Sequence, residues 1–421
     1  WTYDSRRYWY VGHGTAQLRL SDLGTQTGAD KSVVIYDYNA TGWVKVLDDL
    51  QVTQPMKGYS VTFKDTKQIA YAGALNTDDK QMTLIDGWQL VANPYPSYYQ
   101  LPRQDRSEAD FRHTTGSVYA RSGSDKNSRS VVTYNTLTGI STPSDFNGIV
   151  APMQAFWVKK ETAGVISMKQ ANRIHDEAKS ALKSASVEDR DLLRLQLTNG
   201  VTIDEAVVAL RSTGSFDITR YDSDQRFEDD KPIPYIYSVK EDHAVVINVL
   251  PQKVLKQRVP LGLKLPDVGE EQLRLTVAGV ENLNENLTVY LEDKATGAMI
   301  DLRSQAVYDF SAKAGTINDR LVLHFDEPIS TDMDTPEGEE ATSVYAYQKD
   351  GELMVFENLL MDQPKGEVQI EVISMSGARV LVEEYATSGL HVIPANLAPG
   401  IYLVKVSVKG EKPHTVKVVL R

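Results

Sequence analysis

Apolar and polar positions alternate in short runs along nearly the whole chain. "KSVVIYDY", "KGYSVTF", "GWQLVA", "RSVVTY", "QAFWVKK", "LLRLQL", "AVVINVL", "LRLTVAGV", "LTVYLED" and "LVLHF" are rich in β-branched and aromatic residues. Gly, Asn, Asp or Pro bounds each run. That pattern predicts strands separated by turns. One stretch differs: "HDEAKSALKSASVEDRD", His175–Asp191, has helix-forming composition with only a thin apolar face, which suits a linker carrying a short helix. The fold class expected is all-β, a multi-domain β-sandwich protein. A β-rich domain is expected over 1–175, a linker over 176–191 and a β-sandwich over 192–325. A flexible acidic linker over 326–343 and a C-terminal domain over 344–421 complete the chain.

The first domain carries an internal repeat. "KSVVIYDYNATG" (31–42) matches "RSVVTYNTLTG" (129–139), and "PMKGYSVTFK" from Pro55 matches "PMQAFWVKK" from Pro152. The closing glycines, Gly42 and Gly139, and the prolines, Pro55 and Pro152, are each offset by 97 residues. Each copy reads as strand, Thr-Gly turn, strand, then a Pro-Met turn into an aromatic strand. The repeat predicts equivalent strand sets, with Tyr59 and Phe156 both facing a core.

The segment "DEPISTDMDTPEGEEATS" (326–343) has no aromatic residue and many carboxylates, which defines the linker. After it come seven short strand candidates: Val344–Gln348, Glu352–Phe356, Glu367–Ile373, Arg379–Tyr385, Leu390–Ile393, Ile401–Val408 and Thr415–Leu420. Val368, Ile370 and Val372 alternate with Gln369 and Glu371. Tyr402, Val404 and Val406 alternate with Leu403, Lys405 and Ser407. Seven strands in so short a span predict an immunoglobulin-like sandwich, with Tyr402, Val404, Val406, Val416, Val418 and Leu420 on one core wall.

Charge narrows the function. Asp and Glu number 57 against 45 Lys and Arg, a net charge of −12, which argues against a nucleic-acid or anionic-membrane binder. There is no cysteine, hence no disulfide, thiolate metal site or Cys nucleophile. No apolar run is long enough to span a bilayer. The opening "WTYDSRRYWYVGHGT" is already strand-like, so the chain reads as a mature or trimmed fragment of a longer precursor.

"EVQIEVISMSGARVLVEE" followed by "HVIPANLAPGIYLVKVSVKGEKPHTVKVVLR" resembles the C-terminal sorting domain of type IX secretion cargo proteins. The resemblance covers roughly the last 80 residues. It rests on a small-residue turn at Gly377, a Leu-x-x-Gly-x-Tyr turn at Leu397, Gly400 and Tyr402, and a terminal Lys-containing strand with Lys417. "GWQLVANPYPS", "PMQAFWVKK" and "ANRIHD" are similar to β-rich surface modules that precede this domain. The resemblance implies export, recognition by the type IX machinery, removal of the C-terminal domain by a surface sortase-like protease, and attachment to lipopolysaccharide at the outer membrane. It makes Gly377, Leu397, Gly400, Tyr402, Lys405 and Lys417 the sorting-signal candidates. Gly400 is expected in a turn that a side chain would strain. The end of the chain is locally basic (Lys405, Lys409, Lys412, Lys417 and Arg421 against Glu411), which is either a recognition face or protection against edge aggregation.

Candidate chemistry is sparse. The seven histidines are scattered, and no HExxH, GxSxG, P-loop or GxGxxG is present. His13, in "VGHGT", reads as a turn residue. Asp222, Asp224 and Asp229 in "YDSDQRFEDDK" have the alternating oxygen ligands of a calcium loop without its Gly and bidentate Glu, so a solvated turn competes. In "NPYPS" the prolines impose extended geometry on Asn93 and Tyr95, with Tyr95–Pro96 a candidate cis bond. Trp88, Tyr95, Tyr98 and Tyr99 are either a sugar-stacking platform or core plugs. The function expected is non-enzymatic: an exported cell-surface adhesin or ligand-binding β-protein, its partner a host protein or glycan. The alternatives are a carbohydrate-binding accessory region of a larger enzyme, or a hydrolase with an unrecognised site.

Overall fold

The computed structural model describes all residues except 1, 4–7, 16–18, 25–31, 47–51, 69–71, 103–109, 122–130, 145, 176–190, 228–232, 285–286, 327–343, 350–351, 358–367, 375–376, 387–388, 395–396, 409–412 and 421. The protein is all-β and multi-domain. Its described helical turns are short 3-10 turns such as Leu20–Leu23. Among the described residues no helix is long and apolar enough to cross a membrane. Both expected linkers lie outside the described residues, save Asp191 and Asp326.

Two compact units form. One comprises residues 1–290 with 301–328, the other 291–300 with 329–421. The boundary expected at 176–191 therefore does not separate compact units, and side chains explain why. Asn135 Nδ2 donates to the carbonyls of Arg220, Tyr221 and Asp222, and Thr142 Oγ1 donates to the Glu205 carbonyl at 2.7 Å. Arg194 bridges the Ser141 carbonyl and the buried Glu205 carboxylate, each at 2.9 Å. Hydrogen bonds between such buried polar groups bind the two segments into one unit.

In the larger unit, strands β1 (Tyr8–Val11), β2 (Val33–Asn39), β3 (Gly42–Lys45) and β4 (Tyr59–Phe63) form a sheet in the order β1-β4-β2-β3. A second sheet contains β5 (Trp88–Ala92), β6 (Thr114–Arg121), β7 (Val131–Asn135), β8 (Ser141–Thr142) and β9 (Ala155–Lys160), ordered β8-β7-β6-β9-β5. One face of each sheet carries its own core: Val11, Val33, Ile35, Tyr59, Val61 and Phe63 in the first, and Val91, Val118, Tyr134, Phe156 and Val158 among others in the second.

The repeat survives in its turns but not in its strand order. Met56 and Met153 both adopt left-handed backbone (φ 68 and 60), as do Gly42 and Gly139. Tyr59 and Phe156 are both buried. In the first sheet, however, β2 pairs directly with β4. In the second, β6 stands between β7 and β9, so the full strand sets are not equivalent. A Thr-Gly turn is a local solution any hairpin can use, whereas the Pro-Met turn is tied to a sheet-to-sheet contact. The Met56 carbonyl accepts the Ala92 N–H and the Met153 carbonyl accepts the Gly12 N–H, both at 2.7 Å. Each Pro-Met turn thus grips the edge strand of the other sheet. The grip requires Gly12, since a Cβ there would lie 2.2 Å from the Ala92 Cβ.

His13 follows in that seam and is buried, its Nδ1–H donating to the Thr15 carbonyl at 2.7 Å. Burial holds the imidazole below its ordinary value of 6.5, against the opposing pull of the Thr15 carbonyl. The unfolded chain therefore binds the proton more readily, so the stability tied to neutral His13 is complete above pH 6.5 and declines as pH falls below it. Urea titrations from pH 7.5 to pH 5 should show the wild-type midpoint dropping more than that of His13→Asn. Parallel pH profiles would contradict the assignment.

The larger unit continues with β10 (Leu192–Thr198), β11 (Ile203–Arg211), β12 (Tyr235–Lys240), β13 (His243–Pro251), β14 (Gln257–Ala278) and β15 (Val307–Asp326). The order β10-β11-β13-β12-β14 closes on itself because β14 is long enough to pair with β12 at Leu261–Lys264 and with β10 at Arg274–Ala278. Only β11–β13 is parallel among these pairs.

The C-terminal unit contains β16 (Val344–Lys349), β17 (Glu352–Glu357), β18 (Val368–Ser374), β19 (Arg379–Tyr385), β20 (Gly389–Pro394), β21 (Gly400–Val408) and β22 (His414–Leu420), matching the seven expected strands within two residues at each end. They form two sheets, β16-β17-β20 and β19-β18-β21-β22. Between them lies one core of Leu353, Val355, Val368, Ile370, Val372, Ile393, Tyr402, Val404, Val406, Val418 and Leu420, with Val416 packed against it.

Candidate functional site

Strand side chains alternate between faces, so residues two apart share one. In β1 that rule puts Tyr8 and Tyr10 on the face away from the core, and in β2 it does the same for Tyr36 and Tyr38. Trp43 and Lys45 join them from β3, in the pairing register Tyr38–Trp43 and Tyr36–Lys45. The small Ser60 lies between Tyr10 and Tyr36 in the same register. Over it the rings of Tyr10 and Trp43 stack, 6.0 Å apart with 22° between planes.

Trp157 of β9 enters this cluster from the second sheet. It meets Tyr38 at 4.7 Å, Trp43 at 5.5 Å and Tyr10 at 5.8 Å, all edge to face, the geometry that ring quadrupoles favour. Gly58 permits the sheets to approach: a Cβ there would lie 2.7 Å from Leu90 and 2.8 Å from Ala155. The result is an aromatic seam whose inner wall is buried and whose outer edge is not. Trp157 is 3% exposed, whereas Trp43 is 42% and Tyr8 51% exposed. Tyr8 in turn leans on Tyr36 at 6.2 Å. Guanidinium groups lie against the rings, Arg121 over Tyr10 at 5.1 Å and Arg226 over both Trp88 and Trp157 at 4.7 and 4.5 Å.

Of the four aromatic residues singled out from sequence, Trp88 lies in this seam. It is half-buried, edge-on to Tyr119 and beneath Arg226 and Lys159. Tyr98 is half-buried on the short strand Tyr98–Gln100. Tyr95 and Tyr99 are not available to a ligand. Both are fully buried and stacked on each other at 5.8 Å. The Tyr95 hydroxyl donates to the Met168 carbonyl at 2.6 Å, and the Tyr99 hydroxyl accepts the Lys169 N–H at 3.0 Å. Burial pushes the Tyr99 phenol up to about 12. Asn93 organises the turn, accepting the Tyr95 N–H and donating to the Ser97 and Ala151 carbonyls. The cis bond expected at Tyr95–Pro96 is instead at Thr142–Pro143. Sequence reading missed Tyr8, Tyr10, Tyr36, Tyr38 and Trp43, although "YWY" and "YDY" carried the signal as aromatic pairs two residues apart.

The calcium reading is corrected at Asp222. Its carboxylate is buried and fully engaged. Lys240 Nζ donates to both oxygens at 2.9 and 3.0 Å, Val249 N–H to Oδ1 and Thr219 N–H to Oδ2, each at 2.8 Å. An ammonium already occupies the place a cation would take. Asp224 faces Lys159 at 3.5 Å, and Asp229 lies outside the described residues.

The sorting-signal candidates all lie within the C-terminal unit. Gly377 has φ +85 in the turn between β18 and β19, where its N–H donates to the Ser374 carbonyl at 2.8 Å. Leu397 packs on the core, and the Tyr402 hydroxyl donates to the Ala398 carbonyl at 2.8 Å, tethering the loop ahead of β21. Gly400 does not meet the expectation of strain: a Cβ there would meet nothing nearer than 3.6 Å. Lys405 is held by Glu371 at 3.0 Å on the outer face of the sheet, where Arg379 joins at 2.8 Å. Lys405 first, with Arg379 beside it, holds the Glu371 carboxyl below its ordinary value. Lys417 is exposed.

A family model described as "Domain of unknown function (DUF8693)" matches residues 53–325. No curated protein matches the chain. Two solved structures are similar at low identity. A tetra-tandem repeat in the extending region of a large adhesion protein is 11% identical, covers 94% of this chain and 92% of its own, and has a TM-score of 0.14. Tp47, the 47-kilodalton lipoprotein of Treponema pallidum, is 12% identical, covers 92% and 86%, and has a TM-score of 0.15. Neither score is high enough to define the fold.

Proposed function

We propose for this chain, which belongs to the family described as a domain of unknown function (DUF8693), the role of an exported, non-catalytic cell-surface protein that binds its ligand at the aromatic seam. The carrying observation is the exposed outer edge of that seam, where Trp43 and Tyr8 project from rings already fixed by their neighbours. Large rigid rings held in place lose little freedom on binding, and such rings dominate recognition surfaces. The C-terminal sandwich serves as the sorting module in this reading. Its support is the resemblance of residues 344–421 to type IX sorting domains, together with a sandwich core that closes on the last strand.

The test is a binding screen of the full chain against glycan and host-protein arrays, with Trp43→Ala in parallel. Trp43→Ala is expected to weaken binding at least about tenfold, the effect of losing one central aromatic anchor worth about 2 kcal/mol. Ligands bound equally well by both proteins would place the binding surface elsewhere.

A further inference from the structure

Charge is unevenly distributed around the seam. The chain carries −12 overall, yet the outward side chains of β1 to β4 on this face are aromatic, hydroxylic or aliphatic, with Lys45 the charged residue among the described ones. By register Lys45 stands beside Tyr36 and two residues along β3 from Trp43. Arg121 lies over Tyr10 at the other margin. Of the described carboxylates nearby, Asp37 alternates to the opposite face, where it pairs with Lys57, and Asp224 is paired with Lys159.

The exposed rings fall into two groups, Tyr8 on Tyr36 and Trp43 on Tyr10. Along a strand, residues two apart are separated by about 6.6 Å, so Lys45 lies between neighbouring stacking positions. A flat apolar ring face with a cation beside it matches a sugar ring that stacks its C–H face and carries an acidic substituent at its edge. We infer that the seam binds a linear acidic glycan. Successive rings stack on the Tyr8–Tyr36 and Trp43–Tyr10 groups, with carboxylate or sulfate groups directed to Lys45. This rests on the seam being the ligand-binding face and adds the chemical class of the ligand.

The experiment is calorimetric titration of the full chain with oligogalacturonate and with a neutral cello-oligosaccharide of equal length, at low and high salt. Oligogalacturonate should bind and the neutral chain should bind at least about tenfold more weakly. Trp43→Ala should lose about tenfold, whereas Trp43→Phe, which keeps a ring, should lose less. Lys45→Gln should weaken binding several-fold at low salt and little at high salt, where screening removes the charge contribution. Unchanged near-ultraviolet circular dichroism confirms that each variant is folded. Equal or tighter binding of the neutral chain through Trp43 overturns the acidic class and leaves the binding face standing. Binding of neither glycan, or binding indifferent to Trp43, overturns the inference. A protein ligand that depends on Trp43 in the array screen would also overturn it, while upholding the proposed function.

Discussion

Removal of residues 414–421 is expected to unfold the C-terminal sandwich entirely. The deletion takes away β22, whose backbone pairs with β21 from Gly400–Leu420 to Val406–His414. Val418 and Leu420 leave the core with it, and Val416 leaves its margin. The two buried side chains alone are worth about 3–6 kcal/mol, against about 5–15 kcal/mol for a whole domain. The deletion also bares β21, which loses a partner along its length and becomes an unprotected edge. Heating the truncated chain should therefore show the transition of the larger unit without one for the sandwich. Limited proteolysis should digest residues 344–413 at low protease. A truncated chain as resistant in that region as the full one would show that β22 is dispensable.

A loss of about 3–5 kcal/mol is expected for Asp222→Ala. Asp222 and Lys240 are 3% and 5% exposed in their side chains, so removing the carboxylate leaves a buried ammonium without its counter-charge. Val249 and Thr219 lose an acceptor as well. The same argument makes the double variant Asp222→Ala/Lys240→Met less damaging than Asp222→Ala alone, since no buried charge remains. Urea unfolding of both chains decides the matter: a single variant within about 1 kcal/mol of wild type would mean that Lys240 reaches solvent without its partner.

These two sites show how unevenly the structure was legible. In the C-terminal unit the alternation of Val368, Ile370 and Val372 with polar neighbours set strand, face and core together, because one buried face imposes the period. The Leu397-x-x-Gly400-x-Tyr402 turn was visible as a motif, but its logic was not. Tyr402 works through a hydroxyl tether to Ala398, and the glycine whose backbone a side chain would strain is Gly377. In the larger unit, strands were legible while their partners were not. Similar turns at Gly42 and Gly139 suggested equal strand sets, and the insertion of β6 between β7 and β9 is a long-range choice that local pattern does not encode. The division at 176–191 failed for the same reason. The contacts that join its two sides run from Asn135, Ser141 and Thr142 to residues more than 50 positions away.

The candidate site was half legible. "NPYPS" and the residues after it drew attention to Tyr95 and Tyr99, which the fold buries. Tyr8, Tyr10, Tyr36 and Tyr38 were written plainly at two-residue spacing. What sequence alone could not supply was that β1 and β2 share a sheet and that Trp157 arrives from another one to fix the rings.

The central claim, a protein displayed at the cell surface by its C-terminal sandwich, is tested most directly by labelling intact cells with a membrane-impermeant amine reagent. Cells producing the full chain and cells producing the chain without residues 414–421 should be compared at equal total protein. The account predicts label on the full chain and none on the truncated one, which should be recovered unlabelled from inside the envelope. Equal labelling of both would contradict it.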